Sequence, residues 1–298
     1  MIKLIKIKED LDIRLDKFLK IEFTSLTQGY IEKNIRKKNI LINDLKTTAK
    51  YIVKKNDQLK ILNYNKENFK NKIIFKRKIN ISPSLITKFN KSIIFQNNDF
   101  LILNKWSSIA TQAGTKINIS IDDIINKISE DYKLVHRLDK DTSGLLIISK
   151  NKNTAKLFGH LFKSSLIKKT YLAICEGKPR LKESNVDLNI KNKFNKIETT
   201  KTFYKQLYNY KGLSLILYKP MTGKTHQLRI VSKNLTCPIV GDNKYNNQSK
   251  YKNEILKLNA HALEFVINDK KYIFKSDLPK DFKDFAKKNN LKYLKTNI

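Results

Sequence analysis

Apolar residues in the second two thirds of the chain fall into short runs bounded by polar or turn-forming residues: SIIFQ (92–96), FLILN (100–104), LLIIS (145–149), TYLAICEG (170–177), TKTFYKQLY (200–208) and LSLILYK (213–219). Their length and their content of Ile, Leu, Tyr and Phe predict strands. Between them, IDDIINKI (121–128) and NTAKLFGHLFK (153–163) place apolar residues at helical spacing. Strands mixed with a few helices predict an α+β domain over 91–298. The first 62 residues form a separate unit. RLDKFLKIE (14–22) clusters Leu15, Phe18, Leu19 and Ile21 at helical spacing, and Ser25 or Thr27 can cap a second helix carrying Tyr30, Ile31 and Ile35. Residues 38–62 then read as short strands around turns at Asn39 and Asn43-Asp44, residue types that tolerate left-handed backbone. The polar, Lys/Asn-rich stretch 63–90 reads as a linker. No internal repeat is visible.

Composition narrows the class. The 298 residues carry 61 Lys and Arg against 27 Asp and Glu, a net charge of +34, which calls for a polyanionic partner or a membrane surface. No apolar stretch reaches the length of a membrane span, and MIKLIKIKED lacks the apolar core of a secretion signal, so a cytoplasmic protein is expected. Cys175 and Cys237 are isolated and fit neither a disulfide framework nor a zinc site. Only six of the 61 basic residues are Arg: Arg14, Arg36, Arg77, Arg137, Arg180 and Arg229. Where Lys fills most cationic positions, Arg persists where its planar five-donor fork is needed.

Two of the six lie in the runs richest in chemistry. VHRLDKDTSGLLIIS (135–149) puts Arg137, Asp139 and a turn ahead of an apolar strand, the arrangement a catalytic loop needs. KPMTGKTHQLRI (219–230) joins a turn to His226, Gln227 and Arg229. Gly144 and Gly223 mark positions where the backbone must reverse or approach a ligand. Together the two runs resemble the paired signatures of the RluA-type pseudouridine synthases. DFLILNKWSSIATQAG (99–114), KKTYLAICEG (168–177), CPIVGDNKY (237–245) and LNAHALEF (258–265) are similar to further blocks of that family, in the same order. The N-terminal unit, with its R-L-D-x-F-L opening and K-x-x-D-x-L ending, resembles the S4 RNA-binding module. Asn39 and Asp44 stand where that module has glycines.

The resemblance implies a mixed, mostly antiparallel β-sheet flanked by helices, preceded by the S4-like domain, and an RNA isomerase. Converting uridine to its C-glycoside breaks the N1–C1′ bond and forms a C5–C1′ bond with no net redox change, so no cofactor is expected. The resemblance assigns the essential carboxylate to Asp139, acting either as a nucleophile or on the 2′ proton of the sugar. Asp141 reads as a turn former. A carboxylate kept ionised in a site closed over a base needs a nearby cation, and Arg229 is the candidate. Tyr171 would lie beside the uracil and take the C5 proton, and Arg137 would fill the gap left by the extruded nucleotide. His136, Lys105, Lys224, His226 and Gln227 complete the implied substrate-facing set, with Lys105, Lys219 and Lys224 as phosphate contacts. Lys33, Arg36, Lys37 and Lys38 would hold RNA from the second helix. Lys224, Val231-Ser232 and Trp106 depart from the family pattern, which bears on local substrate contacts. The expected partner is RNA, most like the large-subunit rRNA of the C/D-type enzymes, with tRNA as the runner-up, and the expected state is a monomer.

Two other classes compete. A noncatalytic RNA-binding assembly factor explains the charge but not the set Asp139, Tyr171 and Arg229. A hydrolase built on Ser143, His226 and Asp139 has no Gly-x-Ser-x-Gly elbow to present the serine.

Overall fold

The computed structural model describes residues 1–69, 80–114, 117–191 and 195–291, and the chain divides into two units, Met1–Lys78 and Ile79–Ile298. The first contains β1 (Lys3–Lys6), α1 (Leu15–Glu22), α2 (Gln28–Arg36), β2 (Ile40–Ile42), β3 (Leu45–Lys46) and β4 (Gln58–Ile61). The four strands form one antiparallel sheet in the order β1-β4-β2-β3. Leu15 and Leu19 of α1 and Ile31 and Ile35 of α2 bury against Ile40, Ile42, Leu59 and Ile61 of the sheet. Thr27, not Ser25, caps α2, accepting the Tyr30 amide at 3.2 Å. Asn43 and Asp44 both take positive φ (50° and 59°) in the β2–β3 hairpin, but ahead of β2 the left-handed residue is Lys38 (φ 59°) and not Asn39.

The linker expected over 63–90 is a correction. Tyr64 and Phe69 pack into the core of the first unit, where the Phe69 ring lies 5.1 Å from those of Phe23 and Tyr64. Its other end is a helix, α3 (Pro83–Lys91), capped by Ser82 with Pro at its first turn and with Phe89 buried in the second unit. Residues 70–79, with Arg77, lie outside the described residues. Aromatic side chains spaced too far apart to show a period still found a core.

After α3 the second unit runs β5 (Ile93–Gln96), β6 (Phe100–Lys105), α4 (Ile121–Ile128), β7 (Lys133–Leu134), β8 (Ser143–Ser149), α5 (Lys152–Lys163), β9 (Lys168–Glu176), β10 (Glu183–Lys191), β11 (Ile197–Tyr210), β12 (Leu213–Pro220), α6 (Gln227–Asn234), β13 (Leu258–Ile267), β14 (Lys270–Lys275) and α7 (Lys280–Lys288). Its sheet has the order β10-β11-β12-β9-β13-β8-β6-β5, with β14 on β13 and β7 on β8. Pairing is antiparallel except where β13 meets β8, at Asn259–Ser143 and Ala260–Gly144. Helices cover both faces: α4 packs Ile121, Ile124 and Ile125 against Leu101, Leu103, Leu146 and Ile148, whereas α5 packs Phe158 and Leu161 against Phe100, Ile102, Leu145 and Ile147. The alternation along β6 and β8 thus serves two cores, and β8 is buried at every position. The mixed, mostly antiparallel sheet flanked by helices is as expected.

Two features of this sheet shape the site. Gly144 has φ 108°, and a Cβ there would stand 2.4 Å from the Ala260 carbonyl oxygen, so only glycine lets β8 and β13 meet. Further along, β9 and β12 part company. Their pairing ends at Tyr171–Tyr218, after which β9 continues on β13 as far as Lys168–Glu264 and β12 continues on β11 as far as Pro220–Thr202. The sheet opens there into two leaves. No helix among the described residues is long and apolar enough to cross a membrane.

Candidate active site

The loop between β7 and β8 is fastened at every second residue. His136 Nε2 accepts the Ile147 amide at 2.8 Å, extending the β8 ladder past the end of β7. The Thr111 hydroxyl donates to the Leu138 carbonyl (2.7 Å) and accepts the Leu138 amide (3.1 Å). Lys105, at the end of β6, donates its ammonium to the Lys140 carbonyl at 3.1 Å. These bonds fix the loop on both sides of Arg137 and Asp139. Arg137 is exposed, and Asp139 lines a cavity of about 560 Å³ together with Tyr171 from β9 and Arg229 from α6. The structure thus brings together the three residues that the sequence reading set apart as essential.

Arg229 is bound differently from the expectation. It does not pair directly with Asp139: its Nε and Nη2 donate to the two carboxylate oxygens of Asp242 at 2.8 and 2.6 Å, with both residues buried. Burial opposes the charge of Arg229, but the hydrogen bonds and charge of Asp242, with the charge of Asp139 behind them, raise its pKa above the ordinary value. Asp242 also accepts the amides of Lys244 and Tyr245, which brings the Tyr245 ring under the guanidinium, 5.2 Å from its carbon. The Tyr245 hydroxyl meets His226 Nδ1 at 3.0 Å, and His226 Nε2 stands 3.9 Å from the Asp139 carboxylate, an electrostatic contact too long for a hydrogen bond. Burial lowers the pKa of His226, opposed by Asp139 and aided by Arg229 and Lys244. His226 occupies the position preceding α6 in left-handed conformation (φ 54°), the strain that turns its ring toward the cavity.

Tyr171 is half-buried, and burial first, then the negative charge of Asp139, raises its pKa above that of an ordinary phenol. It is a neutral phenol at physiological pH. In the substrate-facing set the expectation for Lys105 needs correction, whereas His136, Gln227 and Lys224 line the cavity and make bonds of their own. Lys105 is fully buried and its ammonium donates to the carbonyls of Trp106, Ile109 and Lys140 at 3.0–3.1 Å, so it braces the loop from below and does not reach a phosphate. Burial pulls its pKa down to about 7 against the charges of Asp141 and Asp139. His136 is committed to Ile147 and stacks 4.7 Å from Phe162, with its pKa pushed down to about 3 by burial and by Lys169. Gln227 is buried and ties the turn to β11, accepting from Thr222 and the Lys224 amide and donating to Thr202 and the Lys201 carbonyl. Lys224 pairs with Glu198 at 3.1 Å, so it is not a free cation. Gly223 takes no positive φ; the unusual backbone in this turn is at His226.

The Ser-His-Asp alternative has no geometry. Ser143 is buried, with its hydroxyl accepting from Asn259 at 2.9 Å and directed at the Leu258 carbonyl, and no bond joins it to His226. Asp242 and Tyr245 are the residues that sequence reasoning missed. The signal available was the GDNKY block itself, which carried no role because a lone Asp in a loop reads as a turn former. Lys33, Arg36, Lys37 and Lys38 are exposed on or just after α2 of the first unit, and none is in an ion pair among the described residues.

Residues 99–234 match the family described as RNA pseudouridylate synthase. Ribosomal large subunit pseudouridine synthase C of Rickettsia bellii is 36% identical over 292 residues, covering 90% of this chain and 93% of that protein. The protein of the same name from Rickettsia felis is 37% identical over 306 residues, covering 94% and 98%. Among solved structures, Human RNA Pseudouridylate Synthase Domain Containing 4 superposes with a TM-score of 0.63 at 23% identity, over 70% of this chain and 97% of that one, a likeness of fold. The chain belongs to the RNA pseudouridylate synthase family, in its RluA-type branch.

Proposed function

We propose that this chain isomerises particular uridines of large-subunit ribosomal RNA to pseudouridine. The observation that carries this reading is that Asp139, on a loop fastened by His136, Leu138 and Lys140, lines one cavity with Tyr171 and Arg229. Asp139 acts at the ribose of the flipped uridine, either by bonding to C1′ or by taking the 2′ proton. On both routes its negative charge is spent while the N1–C1′ bond breaks and is restored when C5 bonds to C1′. The C5 proton leaves after that bond has formed, beside the Tyr171 hydroxyl. Arg229, with Nε and Nη2 held by Asp242, keeps Nη1 for the reacting groups and excludes the flexibility an ammonium would have.

Arg137, exposed beside Asp139, fills the gap that the flipped nucleotide leaves. The first unit acts as an S4-like RNA-binding domain through Lys33, Arg36, Lys37 and Lys38, and the net charge of +34 supports a polyanionic partner. The names of the relatives support large-subunit rRNA as that partner, met in the cytoplasm. The test is pseudouridine mapping of rRNA and tRNA from cells with and without the gene, repeated with purified protein on unmodified transcripts. Pseudouridines gained only in large-subunit rRNA are expected. Gain confined to tRNA overturns the substrate, and no gain in any RNA overturns the activity.

A further inference from the structure

The opening between the two leaves of the sheet is a second cavity, of about 510 Å³, and Ser165, Lys169, Pro220 and Met221 line both it and the active-site cavity. Strand register orders its walls. On one leaf Asn185, Phe203 and Lys219 are direct cross-strand partners on β10, β11 and β12, so their side chains stand in a row on one face. On the other leaf Thr170, Ala262 and Lys275 form a second row across β9, β13 and β14. The small side chains of Thr170 and Ala262 leave the space that the first row faces.

The electrostatics of this cleft are one-sided. Glu264 is the carboxylate among its lining residues, and Lys168 and Lys271 hold it at 3.1 Å each. Lys169, Lys219 and Lys275 have no ion-pair partner among the described residues, although burial of Lys169 already disfavours its charge. Lys219 on one leaf, Lys275 on the other and Lys169 at the border of the two cavities make the cleft attractive to an anion. Phe203 is half-buried and stacks on no other ring among the described residues. A cationic groove beside a free aromatic face is the combination that takes a nucleotide, phosphate on the ammonium groups and base on the ring.

We propose that this cleft binds the nucleotide of the substrate RNA adjacent to the target uridine, with its phosphate between Lys169, Lys219 and Lys275 and its base on Phe203. The inference rests on the function proposed above. Continuity of the two cavities means that a strand whose uridine enters the first carries its neighbour to the second. The cleft then holds the nucleotide beside the target by its phosphate and the face of its base, contacts that position the strand without reading base identity.

The experiment measures affinity in full-length protein carrying Asp139→Asn, which is expected to bind RNA without turning it over, on a short rRNA stem-loop containing the target. Lys219→Gln with Lys275→Gln should weaken binding of the natural RNA about tenfold, and that loss should vanish when the phosphates flanking the target are neutral methylphosphonates. Phe203→Ala should weaken binding several-fold, and the loss should vanish with an abasic neighbour on one side of the target. Ala262→Met, which fills the cleft and removes no charge, should reproduce the loss on natural RNA; it keeps the base-binding arm testable if Phe203→Ala does not fold. Unchanged affinities, or losses equal on natural and altered RNA, overturn the cleft as a nucleotide site. The two readings separate cleanly: no pseudouridine formed by the natural chain overturns the function, pseudouridine formed by Asp139→Asn overturns the role of Asp139, and an active natural chain with indifferent cleft variants overturns the cleft alone.

Discussion

Arg229 gives two of its guanidinium nitrogens to Asp242 and none by direct hydrogen bond to Asp139. The cation of the site is thus anchored by a residue that takes no part in the reaction. Asp242→Asn leaves a buried guanidinium without its counter-charge, and removing one member of a buried pair costs roughly 3–5 kcal/mol. Thermal or denaturant unfolding should show that loss. Arg229→Lys keeps the charge but not the two-pronged geometry, so it should lower both stability and turnover, and turnover within about threefold of the natural chain, less than about 1 kcal/mol, rejects the assignment.

Asp139→Asn should abolish pseudouridine formation, by at least about a thousandfold, equivalent to about 4 kcal/mol of barrier, while RNA still binds. Single-turnover assays with a filter-binding control give both quantities.

Tyr171→Phe retains the ring and loses the hydroxyl. The rate should fall by about a hundredfold or more, the scale of a lost proton-transfer group, with RNA affinity preserved. A matching loss of affinity instead assigns the hydroxyl to binding.

Stability should decline in mild acid. His136 is held neutral, with its pKa moved from 6.5 to about 3, so between those values the unfolded chain carries a proton that the folded chain refuses. Stability therefore rises with pH across that window and is lost as pH drops below 6.5, by up to about 1.4 kcal/mol per pH unit for each such histidine. Burial moves His226 and His261 in the same direction. His136→Gln keeps an acceptor for the Ile147 amide, and denaturant titrations from pH 7 to 5 should show a slope reduced by about one proton.

Replacing Lys33, Arg36, Lys37 and Lys38 together by Gln tests the first unit in the intact chain. Each phosphate contact contributes roughly 0.7–0.9 to the slope of log K against log salt, so losing all four should flatten it by about three. An unchanged slope removes these residues from the RNA interface.

Asp139, Tyr171 and Arg229, which the structure brings to one cavity, stand out in the sequence because their runs resemble ordered blocks of a known family. The strands with apolar runs and the helices with a clear period were legible from the pattern itself. β10 was not: its inward residues Val186, Leu188 and Ile190 alternate correctly, but Glu, Asn, Asp and Lys between them make ESNVDLNIK look like loop. Lys105 was misread because nothing local distinguishes a surface lysine from one whose ammonium is met by three carbonyls, one of them 35 residues away. The Asp242 clamp was invisible for a related reason. A turn aspartate gains its role only when α6 packs beside it.

The strand that follows the loop of Asp139 is buried at all seven positions, Ser143–Ser149. His136 and Leu138 are tied, through Ile147 and Thr111, to that strand and to the layer beside it. A loop fastened in this way cannot open by itself; the local and the global unfolding of this region are one event. Amide hydrogens at Leu138 and Thr142 should therefore exchange with solvent as slowly as those of β8, unlike those of an ordinary surface loop. The ordering of the Asp139 carboxylate is completed when the protein folds, and whatever enters the cavity meets a group with little conformational freedom left to lose.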